Sequence, residues 1–496
     1  MLKKAKVSMN ILTSLVIVSL LFCISCKMGA IDESSKDVSI IRGNIAEAFK
    51  NNMLVGLSVA AARQGRLLWA EGYGLSDLIE KRPVNRETMF AIGSITKQFT
   101  SACIFILAQE GKLDISDRVS KYFPNLTRAS DITLLDLMNH VSGYHDYYPL
   151  DFVDRRMVNP TAVDSVIETY AGSELDFEPG TRYSYSNTGY LILGRVVEKV
   201  SGMPFGEFLN KCIFEPLGMN HTAFDPDLIN SNFAKGHMSF ILSPPEQVTL
   251  EAKGWIYSAG AIFSTPSDLI KWNNALFSGR IINGHYLKIM TSPRTLSDGN
   301  ISNYGCGLAI GEKYGETIYS HSGAVNGFIA INWYVPNTKS SLILCSNLSE
   351  YAVINSIFSK LVDEFLIKPG KRSKKELEQK TKADKVNQTY VGKPLISDPP
   401  LMAQAINFFF SLKNGTIDRT ILGDDFSWFL TDEKIREASF RLKTLGEPVS
   451  LKIENISERG GMEVSTFRLN FESRALRVLM YRSLDGKIQQ YFIQRY

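Results

Sequence analysis

The 496-residue chain predicts an α+β fold in two units. Three observations carry this. Strand-like runs stand near both ends of a long first region with helical segments between them, which fits one antiparallel sheet completed by distant stretches of chain beside a helical lobe. A stretch rich in Lys and Glu follows, and beyond it a shorter region has helices and then strands of its own. The length itself exceeds what a single hydrophobic core usually holds.

Taken in order, Lys3, Lys4 and Lys6 precede an apolar run from Ile11 to Ile24. That run falls short of the roughly 20 residues a membrane-crossing helix needs, so it reads as a signal peptide. It ends at Ser25-Cys26, with Cys23 three places before the second cysteine. Residues 1–26 are assigned to the signal and 27–37 to a polar tether; Val38 to Lys50 is the first helix. Val55 to Arg63 and Arg66 to Gly74 are strands joined by a tight turn at Gln64-Gly65. Ser94 to Glu110 is a helix apolar nearly all round, hence buried, and Gly111 suits the left-handed position that ends it. Leu113 to Phe277 is mainly helical with many loops, one helix opening at Thr265-Pro266 with Thr265 as its cap.

Phe328 to Val335 and Ser341 to Asn347 are strands around Pro336-Asn337, and Tyr351 to Leu366 is a closing amphipathic helix. The first unit spans 38–367, a charged linker 368–400, and a small α+β unit 401–496. In the last, helices at Met402 to Leu412 and Asp432 to Leu445 precede strands at Val449 to Ile456, Glu463 to Phe471, Ala475 to Tyr481 and Gln489 to Gln494. Gly460-Gly461 and Asp485-Gly486-Lys487 mark turns there.

The hydrophobic fraction of 44% fits a globular chain, and a net charge of +4 gives no argument for nucleic acid. Cys103, Cys212, Cys306 and Cys345 are widely spaced and read as buried free thiols. No zinc-type spacing and no HExxH occurs, so no metal and no organic cofactor is implied.

Three short words carry the chemistry: Ser94-Ile95-Thr96-Lys97, Tyr185-Ser186-Asn187 and His321-Ser322-Gly323. A serine and a lysine three residues apart on a helix share a face, so the amine can take the serine's proton. Taken alone, Ser94 could merely cap a helix, His321 could be a structural strand histidine, and His140 could pin the Asn139 to Gly143 turn. His140 and His145 lack a carboxylate pattern that would make them metal ligands. The loops Tyr144 to Val158 and Met238 to Lys253 are candidates for the cleft wall; Tyr144, Tyr147 and Tyr148 read either as part of that wall or as a partly buried loop cluster.

The three words and the phrases between them resemble the serine hydrolases of the class C β-lactamase and penicillin-binding-protein family. Supporting phrases are Leu137-Met138-Asn139-His140-Val141-Ser142-Gly143, Phe177-Glu178-Pro179-Gly180, Ile213 to Met219, and Ser258-Ala259-Gly260 followed by Ser264 to Leu269. The resemblance spans Val38 to Leu366 and implies a β-lactamase/transpeptidase-like sheet with a helical lobe. It implies Ser94 as nucleophile, Lys97 as its proton acceptor and Tyr185 as relay or general base. Asn187 would orient the substrate's amide and Lys97, with His321, Ser322 and Gly323 orienting substrate along an edge strand. The backbone N–H groups of Ser94 and Ala324 would form the oxyanion hole.

His321 stands where lactamases of this class carry a lysine, so weak β-lactam turnover and an ester or peptide-like amide substrate are expected. The alternatives are a penicillin-binding D,D-carboxypeptidase and a non-catalytic module that binds cell-wall fragments on the same fold. The chain's start resembles a bacterial lipoprotein signal, implying a lipid on Cys26 and a membrane partner in the cell envelope. An ordinary secretory peptide cut nearby is the other reading. The C-terminal unit resembles an NTF2-like cone. The sequence leaves oligomeric state open.

Overall fold

A computed structural model describes residues 36–51, 54–226, 232–366 and 401–495. The signal segment with Cys26 and the 368–400 linker lie outside the described residues, as does the tether up to residue 35. The first helix takes in the last two tether positions: α1 runs Lys36–Asn51. Strands β1 (Gly56–Arg63) and β2 (Arg66–Asp77) turn at Gln64 and Gly65, both at positive φ, as a two-residue hairpin requires. β3 (Arg82–Pro83) is a short edge. Helix α2 (Thr96–Gln109) follows a 3-10 turn at Gly93–Ile95, ends at Glu110, and is followed by Gly111 at φ +69°. Within the lobe lie α3 (Asn187–Ser201) and α4 (Pro266–Phe277), the latter capped by Thr265 accepting from the Asp268 amide.

The remaining sheet strands are β4 (Ala309–Lys313), β5 (Glu316–Val325), β6 (Phe328–Val335) and β7 (Ser340–Ser346), followed by α5 (Tyr351–Leu361). Strand order is β4-β5-β6-β7-β1-β2-β3, with β1 antiparallel to β7 from Leu57↔Ser346 to Ala62↔Ser341. The two ends of the region therefore meet at the sheet's centre. Strand alternation divides its faces. Leu57, Val59, Ala61, Ile331 and Leu344 pack with α1 and α5, while Ala60, Ala62, Ala330 and Ile343 join the lobe's core. α2 runs through that core; its Phe99 stacks on Trp272 of α4 with ring centres 4.0 Å apart.

In the C-terminal unit, α6 (Leu401–Asn414) and α7 (Asp432–Lys443) precede a four-stranded antiparallel meander. Its strands are β8 (Ser450–Arg459), β9 (Met462–Asn470), β10 (Ala475–Arg482) and β11 (Ile488–Arg495). Its core is not self-contained, because Leu150, Phe152, Phe240 and Ile241 of the first unit belong to the same buried cluster. Of the four thiols, Cys103, Cys306 and Cys345 are buried and free; Cys212, expected to be buried too, is free but half-exposed.

Candidate active site

The turn before α2 carries Ser94, and the first turn of α2 carries Lys97, whose Nζ lies 3.0 Å from Ser94 Oγ. The same Nζ donates to Asn187 Oδ1 at 2.7 Å and to the Ala259 carbonyl at 2.8 Å. Both of these partners can only accept. A neutral amine spends its two N–H bonds on them, which leaves its lone pair facing Ser94 Oγ. Burial pushes the Lys97 amine down to about 7, against the pull of the Asp146 carboxylate and with the push of the Arg459 guanidinium.

Asn187 opens α3, and its amide is oriented by Asp146. Asp146 Oδ1 accepts from the Asn187 backbone N–H and from Nδ2, both at 3.0 Å, so Oδ1 of Asn187 is turned toward Lys97. The sequence reading passed over Asp146; a carboxylate three residues after the Asn139 to Gly143 turn was the available signal.

Tyr185 lies over Lys97, with Nζ 4.9 Å from its ring centre. Its hydroxyl, close to the Ser94 side chain, has no hydrogen-bond partner within normal bonding geometry among the described residues. Burial raises the phenol well above its ordinary range and keeps it protonated. His140, at φ +59°, accepts from the Ser186 amide at Nδ1 (3.1 Å), and its carbonyl accepts from the Ser184 amide (3.0 Å). It thus pins the Tyr185 segment to the turn.

His321 is buried and neutral: desolvation, then the neighbouring Lys97 charge, push it down to about 3. Nδ1 faces the Ser322 carbonyl at 2.6 Å and therefore holds the proton, so Nε2 accepts from Tyr304 OH at 2.8 Å. Both ring nitrogens are engaged within the protein. Ser322 is exposed.

Two glycines allow the backbones to meet. A Cβ at Gly323 would overlap the Ile92 carbonyl and come 2.8 Å from Ser94 N, and one at Gly93 would come 2.6 Å from Ala324 N. The amides of Ser94 and Ala324 are thereby brought to one place. β5 is second in the sheet rather than its edge, but β4 pairs only with Glu316–Ser320. Beyond Ser320 that side of β5 has no strand partner among the described residues, leaving room for an extended substrate.

The cleft over Ser94 is lined by Asn187 and Ala324, by Tyr147, Tyr148 and Asp151 of one loop, by Met238 and Phe240 of another, and by Arg459, Leu479, Phe492 and Gln494 of the C-terminal sheet. Tyr144 is buried and is not among the lining residues. His145 pairs with Asp176 at 3.0 Å. Arg459 was invisible as a cleft residue in sequence, since nothing local ties a strand end in the second unit to Ser94.

The β-lactamase family model matches residues 41–355. A penicillin-binding protein of Bacillus subtilis (strain 168) is 29% identical over 364 residues, covering 69% of this chain and 79% of its own length. A D-aminopeptidase of Brucella anthropi is 25% identical over 318 residues, covering 63% of this chain and 60% of the relative. The octameric penicillin-binding protein homologue from Pyrococcus abyssi superposes with a TM-score of 0.59 at 22% identity. That likeness covers 92% of this chain and 95% of the other.

Proposed function

Because this chain belongs to the β-lactamase family and is a hydrolytic enzyme of that family, we propose that it cleaves peptide-like amides or esters through an acyl-enzyme on Ser94. The observation that carries this is the buried Lys97 amine, held between two carbonyl acceptors with its lone pair toward Ser94 Oγ. Ser94 Oγ attacks the substrate carbonyl carbon and its proton passes to Lys97 Nζ. The carbonyl oxygen becomes an oxyanion facing the amides of Ser94 and Ala324. As the tetrahedral carbon collapses, the Tyr185 phenol hands a proton to the leaving nitrogen or oxygen and is reprotonated from Lys97. Water then repeats the sequence on the acyl-enzyme, releasing the acid and restoring Ser94. Asn187 orients the substrate's amide as well as Lys97.

The likeness to a D-aminopeptidase and a penicillin-binding protein supports amide or peptide substrates. A neutral His321 leaves the strand without the ammonium that would hold a β-lactam carboxylate, which supports weak β-lactam turnover. The test is fluorophosphonate labelling of the protein lacking residues 1–26, with the adduct mapped by peptide mass spectrometry. A single adduct on Ser94, absent from Ser94→Ala, is expected, together with faster turnover of a simple ester than of a cephalosporin. A folded protein that takes no label would overturn the reading.

The lipoprotein-like start supports export and a lipid anchor at Cys26 in the bacterial cell envelope. Expression of the full chain with Cys26→Ala is expected to move the protein from the membrane fraction to the soluble fraction. Equal retention of both forms on membranes would overturn the anchor.

A further inference from the structure

The cleft lacks a charge on β5 yet holds a charged pair from elsewhere, Asp151 and Arg459. Arg459, at the end of β8, is the only Lys or Arg among the described residues lining it. The guanidinium is fixed from one side: Nη1 donates to Asp151 Oδ1 at 3.1 Å and to Tyr481 OH at 3.4 Å, and Nη2 donates to the Tyr148 carbonyl at 3.3 Å. Asp151 is itself held, its Oδ2 accepting from Tyr481 OH at 2.9 Å and Gln490 Nε2 at 2.8 Å. Of the five guanidinium N–H donors, Nε–H and one on Nη2 have no acceptor among the described residues. Asn187 Nδ2 reaches the same Tyr148 carbonyl at 3.4 Å, so the guanidinium sits beside the amide that orients the substrate.

We propose that Arg459 is a specificity-determining residue that binds a carboxylate on the acyl portion of the substrate, making anionic acyl donors the preferred class. The inference rests on the acyl-transfer reading above. The planar fork, anchored by Asp151 at the cleft and with two donors unspent, matches a carboxylate in shape and charge. Its unspent N–H donors suit an acceptor and offer nothing to a free ammonium, so an N-blocked, acid-bearing acyl group fits better than an unblocked amino acid. It also lies beside Asn187 rather than on β5, which distinguishes it from the position His321 occupies.

The test is competition against fluorophosphonate labelling of Ser94, which needs no turnover. The competitors are N-succinyl-D-alaninamide and its neutral counterpart, in which the terminal acid is an amide. The acid is expected to slow labelling at about 10- to 100-fold lower concentration than the neutral compound, as a charge-assisted hydrogen bond implies. Arg459→Gln is expected to bring the two concentrations together and Arg459→Lys to reduce the preference severalfold. Equal protection by both compounds in the wild type, absence of protection by either, or an undiminished preference in Arg459→Gln would overturn the proposal. If Arg459→Gln takes no label at all, Arg459→Lys decides: a reduced preference sustains the proposal and an unchanged one overturns it. A wild-type protein that is never labelled fails the acyl-transfer reading instead.

Discussion

At the residue scale the decisive quantity is the proton on Lys97. In its proposed role as acceptor of the Ser94 proton it works only when neutral, so the rate of acylation is expected to rise with pH as Lys97 loses its proton and to level off above its pKa. With that pKa pushed from 10.5 to about 7, the acid limb of fluorophosphonate labelling is expected to level off near neutrality. An ordinary lysine would still be climbing several pH units higher. Neighbouring charges set opposite signs. The Asp146 carboxylate favours the ammonium, so Asp146→Asn is expected to move the limb to lower pH. The Arg459 guanidinium disfavours it, so Arg459→Gln is expected to move the limb to higher pH. Asp146 also fixes the Asn187 amide, so its replacement is expected to lower kcat/KM roughly 10- to 100-fold through misorientation. Labelling rate against pH for the three proteins checks both signs, and limbs that coincide would remove Lys97 from the role of base.

At the scale of elements, local signals placed the helices and turns around the candidate site well, because each was written into adjacent residues. The α2 helix is legible from its apolar continuity and Gly111, the β1–β2 hairpin from Gln64-Gly65, and α4 from Thr265 and Pro266. Ser94 and Lys97 are legible because one helical turn is enough to bring them together. What stayed hidden depends on contacts between distant segments. Asp146 reaches Asn187 only because the loop after Gly143 folds back against the start of α3. The neutrality of His321 follows from burial and from the Lys97 charge, neither of which its own neighbours in sequence disclose. The free side of β5 comes from β4 stopping at Ala309↔Ser320, a matter of register rather than of composition. Gly93 carries no signal of its own in sequence and Gly323 reads as part of the substrate-orienting strand; in the fold they are places where backbone closely approaches backbone.

At the scale of the whole molecule, the second unit is part of the enzyme's core rather than a passenger on a tether. Phe152, buried and carried by a loop of the first unit, packs among Phe426, Phe429 and Phe492, the nearest ring centre 4.5 Å away. Arg441 of α7 donates to the carbonyls of Ile241 and Phe240 at 2.9 and 3.1 Å, and Glu458 accepts from Ser184 at 3.3 Å. Removing the Phe152 ring deletes apolar contacts on both sides of this seam, and a large-to-small change in such a site costs about 3–5 kcal/mol. With the buried cluster continuous across the seam, urea is expected to unfold both units in one transition. That transition would be seen at the same midpoint by far-UV circular dichroism and by loss of Ser94 labelling, and Phe152→Ala is expected to lower the two midpoints together. If the C-terminal helices and sheet instead melted at lower urea while Ser94 kept its reactivity and its preference for an acid-bearing competitor, the two units would be energetically separate. Arg459 could not then be the residue that reads the carboxylate, because it would have left the cleft before the preference was lost.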